Sequence, residues 1–160
     1  QFSSRTIKRA YTAGAWGVPI PAVGAVEGNI GRNPRNRLKM TVLGAPRGRY
    51  ARTRYQVKKQ LGAHASVLEC RLDTGRTHQI RVHMAHIGHS LIGDPQYGRQ
   101  SNARTKSLPD EAKNYLETFK RQALHAHLIG FIHPKSAEEI QFESSLPNDI
   151  KELINSMDKK

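Results

Sequence analysis

The sequence predicts an α+β domain: a largely antiparallel mixed sheet with flanking helices. Three observations carry that prediction. Short apolar runs with strand-like alternation recur along the chain, clusters of Gly, Pro and Asn punctuate them, and only three segments switch to a helical period. At 160 residues the chain suits one domain with a real core. Hydrophobic residues make up 37%, a low share, but they gather into runs and so favour a folded chain.

The elements follow in order. Residues 6–16, TIKRAYTAGAW, alternate loosely and suit a strand. Residues 17–36 are rich in Gly, Pro and Asn and read as a long loop. RLKMTVL (37–43) and YARTRYQVKKQL (50–61) are strands joined by GAPRGR, which has hairpin turn chemistry. ASVLECRLD (65–73) is a further strand, ended by Thr74-Gly75. The period then changes. Ile80, Met84 and Ile87 fall at i, i+4 and i+7, one apolar helical stripe with Thr77 as N-cap and Gly88 as stop. SLIGD (90–94) is short and strand-like, and residues 95–108 are loop-like. PDEAKNYLETF (109–119) opens with Pro and two acids, as helices do. ALHAHLIGFI (123–132) and EEIQFES (138–144) read as strands. PNDIKELINSM (147–157) sets Ile150, Leu153, Ile154 and Met157 on one helical face.

Lys and Arg number 26 against 13 Asp and Glu, a net charge of +13. A surplus of that size favours a polyanionic partner, with nucleic acid first among them. The basic residues of GRNPRNRLK and GAPRGRYARTRY read as phosphate contacts. The single cysteine, Cys70, excludes an internal disulfide and fits a reducing compartment. Its apolar setting, SVLECRL, marks it as core rather than nucleophile. No apolar run approaches the ~20 residues that cross a bilayer, so a membrane role is not expected. A cytoplasmic monomer is the expectation. The chain opens on Gln1, so a portion of a longer protein is expected.

The stretch RLDTGRTHQIRVHMAHIGH (71–89) concentrates polar chemistry. Arg76 sits at a strand-to-helix junction, beside outward-pointing backbone N–H groups, and together they favour an anion such as a phosphate. His78 and Gln79 fall in the first helical turn. Arg81 and His78 lie three apart on a face away from the apolar stripe, which is either turned to a cleft or simply solvated.

LDTGRTHQIRVHMAHIGHSLIGDPQYG closely resembles the most characteristic C-terminal motif of the RluA-type pseudouridine synthases. The likeness runs along nearly the whole chain. YTAGAWG (11–17), the RNRLKMTV segment, ARTRYQV and RQALHAHLIGFIHP all follow in the family's order. The spacer pattern is most like the RluD-like, large-subunit rRNA branch. The resemblance implies the pseudouridine synthase fold, incomplete at its N-terminal side, with residues 1–160 as the C-terminal part of one catalytic domain. It implies isomerisation of uridine in RNA, with large-subunit rRNA as partner, no cofactor and no metal. It gives Arg81 the role of pairing with a catalytic aspartate, and Tyr11 that of stacking on the target base. Arg76, His78 and Gln79 become RNA or active-site rim, and Arg37 and Lys39 join the same cleft as substrate-binding residues.

The family's aspartate belongs upstream of the tyrosine segment, and QFSSRTIKRA contains none. Asp73 reproduces the letters Arg-Leu-Asp but sits in the lead-in to the helix that carries Arg81, so it reads as a decoy. The nucleophile is therefore expected outside this chain, and the isolated chain is expected to be inactive. The competing reading is a non-catalytic RNA-binding or ribosome-assembly module on a synthase scaffold. His83, His86 and His89, with His125 and His127, offer imidazole ligands for a metal such as zinc. No Cys pair or acidic partner joins them, and none is expected to bind metal.

Overall fold

The computed structural model describes residues 7–98 and 105–158. Strands β1 (Lys8–Trp16), β2 (Val23–Arg32), β3 (Met40–Leu43), β4 (Arg49–Leu61), β5 (Ala65–Leu72), β6 (Leu124–Ile132) and β7 (Glu139–Glu143) form one sheet in the order β3-β2-β4-β5-β1-β6-β7. Every pairing is antiparallel. Three helices are described: α1 (Gln79–His86), α2 (Asp110–Thr118) and α3 (Asn148–Asp158). This is the α+β architecture the alternating runs predict.

The sheet carries a core on each face, as strand alternation requires. Leu68 and Cys70 of β5, Ala13 and Ala15 of β1 and Tyr55 of β4 pack with Ile80 and Met84 of α1. Trp16, Leu61 and Ala65 instead join Ala112 and Leu116 of α2 and Ile150, Leu153 and Met157 of α3. Residues 65 and 68 of one strand thus serve different cores. The Ile80–Met84–Ile87 stripe faces the sheet as the period predicts, with Met84 fully buried.

Several expectations are corrected. The long loop at 17–36 contains β2. Its glycines conceal a strand whose inward residues include Val26 and Ile30, both buried. Gly28 is there because a Cβ would come within 2.8 Å of Val42 Cγ1. The strand expected at 37–43 begins only at Met40. Asn33 Oδ1 accepts the N–H groups of Arg35 and Asn36, and Lys39 N–H bonds Asn36 O, so the chain turns there instead. SLIGD contributes one bridge, Ala15 to Leu91, rather than a strand. The α1 cap is His78, not Thr77. His78 adopts φ 55° and ψ 24°, left-handed, and no side chain caps the helix. Gly88, at φ 87°, ends α1 as expected, and His89 N–H closes back on Met84 O.

Candidate functional site

The site is built where α1 meets the turn at 94–97 and the segment entering β3. Gln79 fixes the start of the helix. Its Oε1 accepts from Thr74 Oγ1 at 2.7 Å and from Arg76 N–H at 3.0 Å; its Nε2 donates to Arg52 O at 2.9 Å and Thr53 Oγ1 at 3.0 Å. All four hydrogen-bonding positions of the amide are spent on the protein, and the residue is 2% exposed. The expectation that Gln79 lies on the rim is therefore corrected: it is a buried bracket holding the junction to β4.

Two residues further on, Arg81 enters an ion pair. Its Nε and Nη2 each donate to Asp94 at 2.8 Å, and Nη2 also donates to Gln96 Oε1 at 3.2 Å. Tyr97 lies against the guanidinium, with Arg81 Cζ 4.8 Å from the ring centroid. Asp94 Oδ1 further accepts the backbone N–H groups of Gln96 and Tyr97, at 2.9 and 3.0 Å. Burial of the Asp94 carboxyl acts to raise its pKa, but these donors outweigh burial and hold it below the ordinary carboxylate value. The same hydrogen bonds raise Arg81, which stays cationic. The carboxylate partner of Arg81 among the described residues is thus Asp94. Nη1 makes no hydrogen bond to another described residue.

Tyr97 links the remaining parts. Its hydroxyl accepts Met40 N–H at 2.9 Å and lies 3.0 Å from His78 Nδ1. Burial lowers the pKa of His78, and the charge of Arg81 lowers it further. Lys39 Nζ donates to Gln96 O at 2.6 Å, which ties the β2–β3 connection to the same turn. Arg81, His78 and Lys39 therefore converge on Gln96 and Tyr97 of one turn, which brings two cationic donors to the same part of the surface.

The other expected residues lie further out. Arg37 is exposed on the β2–β3 connection, where its carbonyl accepts from Arg32 Nη1 at 2.8 Å. Arg76 turns to β4, with Nε donating to Tyr50 O at 3.0 Å. Tyr11 stands on β1 in register with Cys70 of β5, which is itself in register with Tyr55 of β4. It packs half-buried on the sheet face that carries α1 and makes no hydrogen bond to Arg81. Asp73 is held by Arg52 and Arg54, at 3.1 and 2.7 Å. It is not the partner of Arg81.

Asp94, Gln96 and Tyr97 were not singled out in the sequence. The signal was present as GDPQYG (93–98), an Asp-Pro turn in which the Asp oxygen caps the N–H groups two and three residues on. Among the described residues no group of three His, Cys, Asp or Glu is placed to hold a metal ion. His83 bonds Thr53, His89 bonds Trp16 O, His125 bonds Ser144 O and His127 bonds Thr12. Cys70 is buried, and burial pushes its thiol up to about 12, so it is unreactive.

Residues 1–86 match the RNA pseudouridylate synthase family. The chain belongs to that family. It is 43% identical over 157 residues to the ribosomal large subunit pseudouridine synthase D of Zymomonas mobilis, covering 98% of this chain and 47% of that protein. Against the synthase D of Neisseria meningitidis serogroup A the identity is 44%, over 97% of this chain and 40% of the relative. The chain thus spans less than half the length of these relatives. Among solved structures, human RNA pseudouridylate synthase domain containing 1 aligns with a TM-score of 0.70 at 25% identity, over 90% of this chain and 56% of that one. Human RNA pseudouridylate synthase domain containing 4 shares the fold, with a TM-score of 0.75 at 22% identity over 98% of this chain and 64% of that one.

Proposed function

We propose that residues 1–160 form the C-terminal part of a single catalytic domain that isomerises uridine to pseudouridine in large-subunit rRNA. The observation that carries this reading is the locked guanidinium of Arg81, with one N–H edge left over, in a chain of the synthase family. In this reaction the bond from ribose C1′ to N1 of the base breaks, the base turns, and C1′ bonds to C5; the C5 proton is lost to solvent and N1 takes up a proton. Atoms balance without a cofactor.

Arg81 holds the carboxylate of the nucleophilic aspartate through Nη1 and keeps it ionised. Tyr11 offers an aromatic face to the base once it leaves its stack. His78 and Lys39 bind the nucleotide's anionic groups beside Arg81, while Arg37 and Arg76 contact phosphates further along the RNA. Gln79 acts only by fixing the start of α1. Among the described residues no second carboxylate reaches Arg81, so the nucleophile comes from elsewhere in the protein.

Tritium release from large-subunit rRNA labelled at uridine C5 tests this, with the 160-residue chain and with a version extended upstream. Release by the extended form alone is expected. Release by the short chain would place the nucleophile within it. RNA binding without release by either form would favour a non-catalytic RNA-binding module, to which the +13 charge is equally suited.

A further inference from the structure

We propose that Arg9 binds a phosphate adjoining the target uridine and so fixes how the nucleotide sits against Tyr11; this rests on the functional reading above. The β1–β5 ladder ends where Ala10 pairs with Arg71, so Arg9 lies beside the turn that follows β5. Alternation puts Arg9 and Tyr11 on one face of β1, about 7 Å apart along the strand. That face carries α1, and Tyr11 packs against the cluster that includes Ile80 and Met84.

The guanidinium of Arg9 lies against Gly75. A Cβ on Gly75 would sit 2.9 Å from Arg9 Nη1 and 3.2 Å from Nη2, so an alanine there would push the guanidinium aside. Nothing in the described chain answers the charge. Arg9 Nε is buried without a hydrogen-bond partner, and no described residue accepts from either Nη. Asp73, the acid nearest to Gly75 in sequence, is held by Arg52 and Arg54 at 3.1 and 2.7 Å. Arg76, the residue after Gly75, spends Nε on Tyr50 O and has no acidic partner among the described residues.

A guanidinium carries five donors, and one with no acceptor and a buried Nε is costly until an anion meets it. Its planar fork matches the two free oxygens of a phosphate diester. RNA supplies that anion to a chain with a net charge of +13. The spacing of Arg9 and Tyr11 suits one nucleotide, whose phosphate and base lie on opposite sides of its ribose. Arg9 then holds the nucleotide at its phosphate while Tyr11 backs the base. No base edge is read, so the contact positions the nucleotide without selecting its sequence context.

The test is kcat/KM for tritium release by the intact protein on an rRNA fragment containing its target uridine. The phosphate on the 5′ or the 3′ side of that uridine is replaced in turn by an uncharged methylphosphonate. On unmodified RNA, Arg9→Gln should lower kcat/KM about tenfold, the worth of one hydrogen bond to a charged group. One of the two methylphosphonates should slow the native protein by a similar factor and should slow Arg9→Gln no further, which a merely structural defect would not produce. Gly75→Ala keeps the charge but displaces the guanidinium. It should show the same loss and the same indifference to that methylphosphonate, and it keeps the test open if Arg9→Gln does not fold. Native kcat/KM in Arg9→Gln, or in Gly75→Ala when Arg9→Gln is unfolded, overturns the proposal. So does a native protein indifferent to both methylphosphonates. Losses that multiply with both methylphosphonates also overturn it, and assign Arg9 to a carboxylate of the protein instead. Each of these leaves the functional reading intact, whereas no turnover by the native protein overturns both.

Discussion

Arg81 and Asp94 meet through two hydrogen bonds of 2.8 Å, with side-chain exposures of 10% and 0%. At that burial each charge has left water and depends on the other. Truncating one partner strands the other, so Asp94→Ala should lower the unfolding free energy by about 3–5 kcal/mol. Replacing both partners, as in Arg81→Met with Asp94→Leu, should cost clearly less than Asp94→Ala alone. Urea denaturation of the three proteins checks the order; a double variant less stable than Asp94→Ala would contradict it.

The residue before Asp94 sets its direction. Gly93 has φ +71°, and a Cβ there would lie 2.3 Å from Arg121 O and 2.6 Å from Phe119 Cδ1. Backbone strain and overlap with a main-chain oxygen add, so Gly93→Ala should destabilise by about 3 kcal/mol or more. A thermal melt would show it as a marked fall in Tm. An unchanged Tm would mean that the turn relaxes freely, and that the 94–97 segment does not anchor Arg81.

Periodic features of the chain were legible and convergent ones were not. Ile80, Met84 and Ile87 announce the buried face of α1 because a helix repeats, and Val67, Leu68 and Cys70 announce β5 because apolar runs need a core. β2 escaped because Gly24, Gly28 and Gly31 mimic a loop while making room for cross-strand neighbours. Gln79 looked solvent-facing because a polar residue in a first turn carries no mark of the partners it will find on β4. Asp94 escaped for the same reason: the contact with Arg81 spans a turn and belongs to no period. Asp73 shows the converse, since its lead-in position was readable and its hold by Arg52 and Arg54 needed coordinates.

Buried His83 should make stability depend on pH. It is 0% exposed with Nδ1 2.9 Å from Thr53 Oγ1, and burial pushes its pKa down to about 4, helped by His86. The ordinary value is about 6.5. Between those values the unfolded chain binds a proton that the folded chain refuses, so stability falls as pH drops from about 6.5 to about 4. The loss amounts to about 3 kcal/mol. The pKa of Asp94 is lowered from the ordinary carboxylate value, so its contribution is lost only at more acidic pH. Denaturant titrations at about pH 7 and about pH 4.5 should show the decline in the native chain and a flatter response in His83→Gln. Equal slopes would remove His83 from the account.

Asp73 provides a control with a different expected result. Its ion pairs with Arg52 and Arg54 are partly exposed, at 26% for Asp73 and 41% and 55% for the arginines. Exposed pairs contribute about 1 kcal/mol or less. Asp73→Asn should therefore leave Tm nearly unchanged and turnover at the native level. A loss of turnover in a folded Asp73→Asn protein would make Asp73 the leading nucleophile and displace the assignment given above.

No Asp or Glu lies between Glu27 and Glu69, while ten Lys and Arg do. They are not equivalent. Arg52 and Arg54 are matched by acids and Lys59 by Asp158, whereas Arg37 and Arg47 have no acidic partner among the described residues. Each unmatched arginine that meets a phosphate releases about one counterion, so its loss should reduce the slope of log K against log salt by about 1. Arg37→Ala and Arg47→Ala should each do so, and should weaken binding to any RNA sequence alike. Arg54→Ala should change the slope less, because Asp73 already offsets its charge. Fluorescence anisotropy over about 50–200 mM salt measures all three. A slope unmoved by Arg37→Ala and Arg47→Ala would place the RNA on another face, and with it the path by which a uridine reaches Arg81.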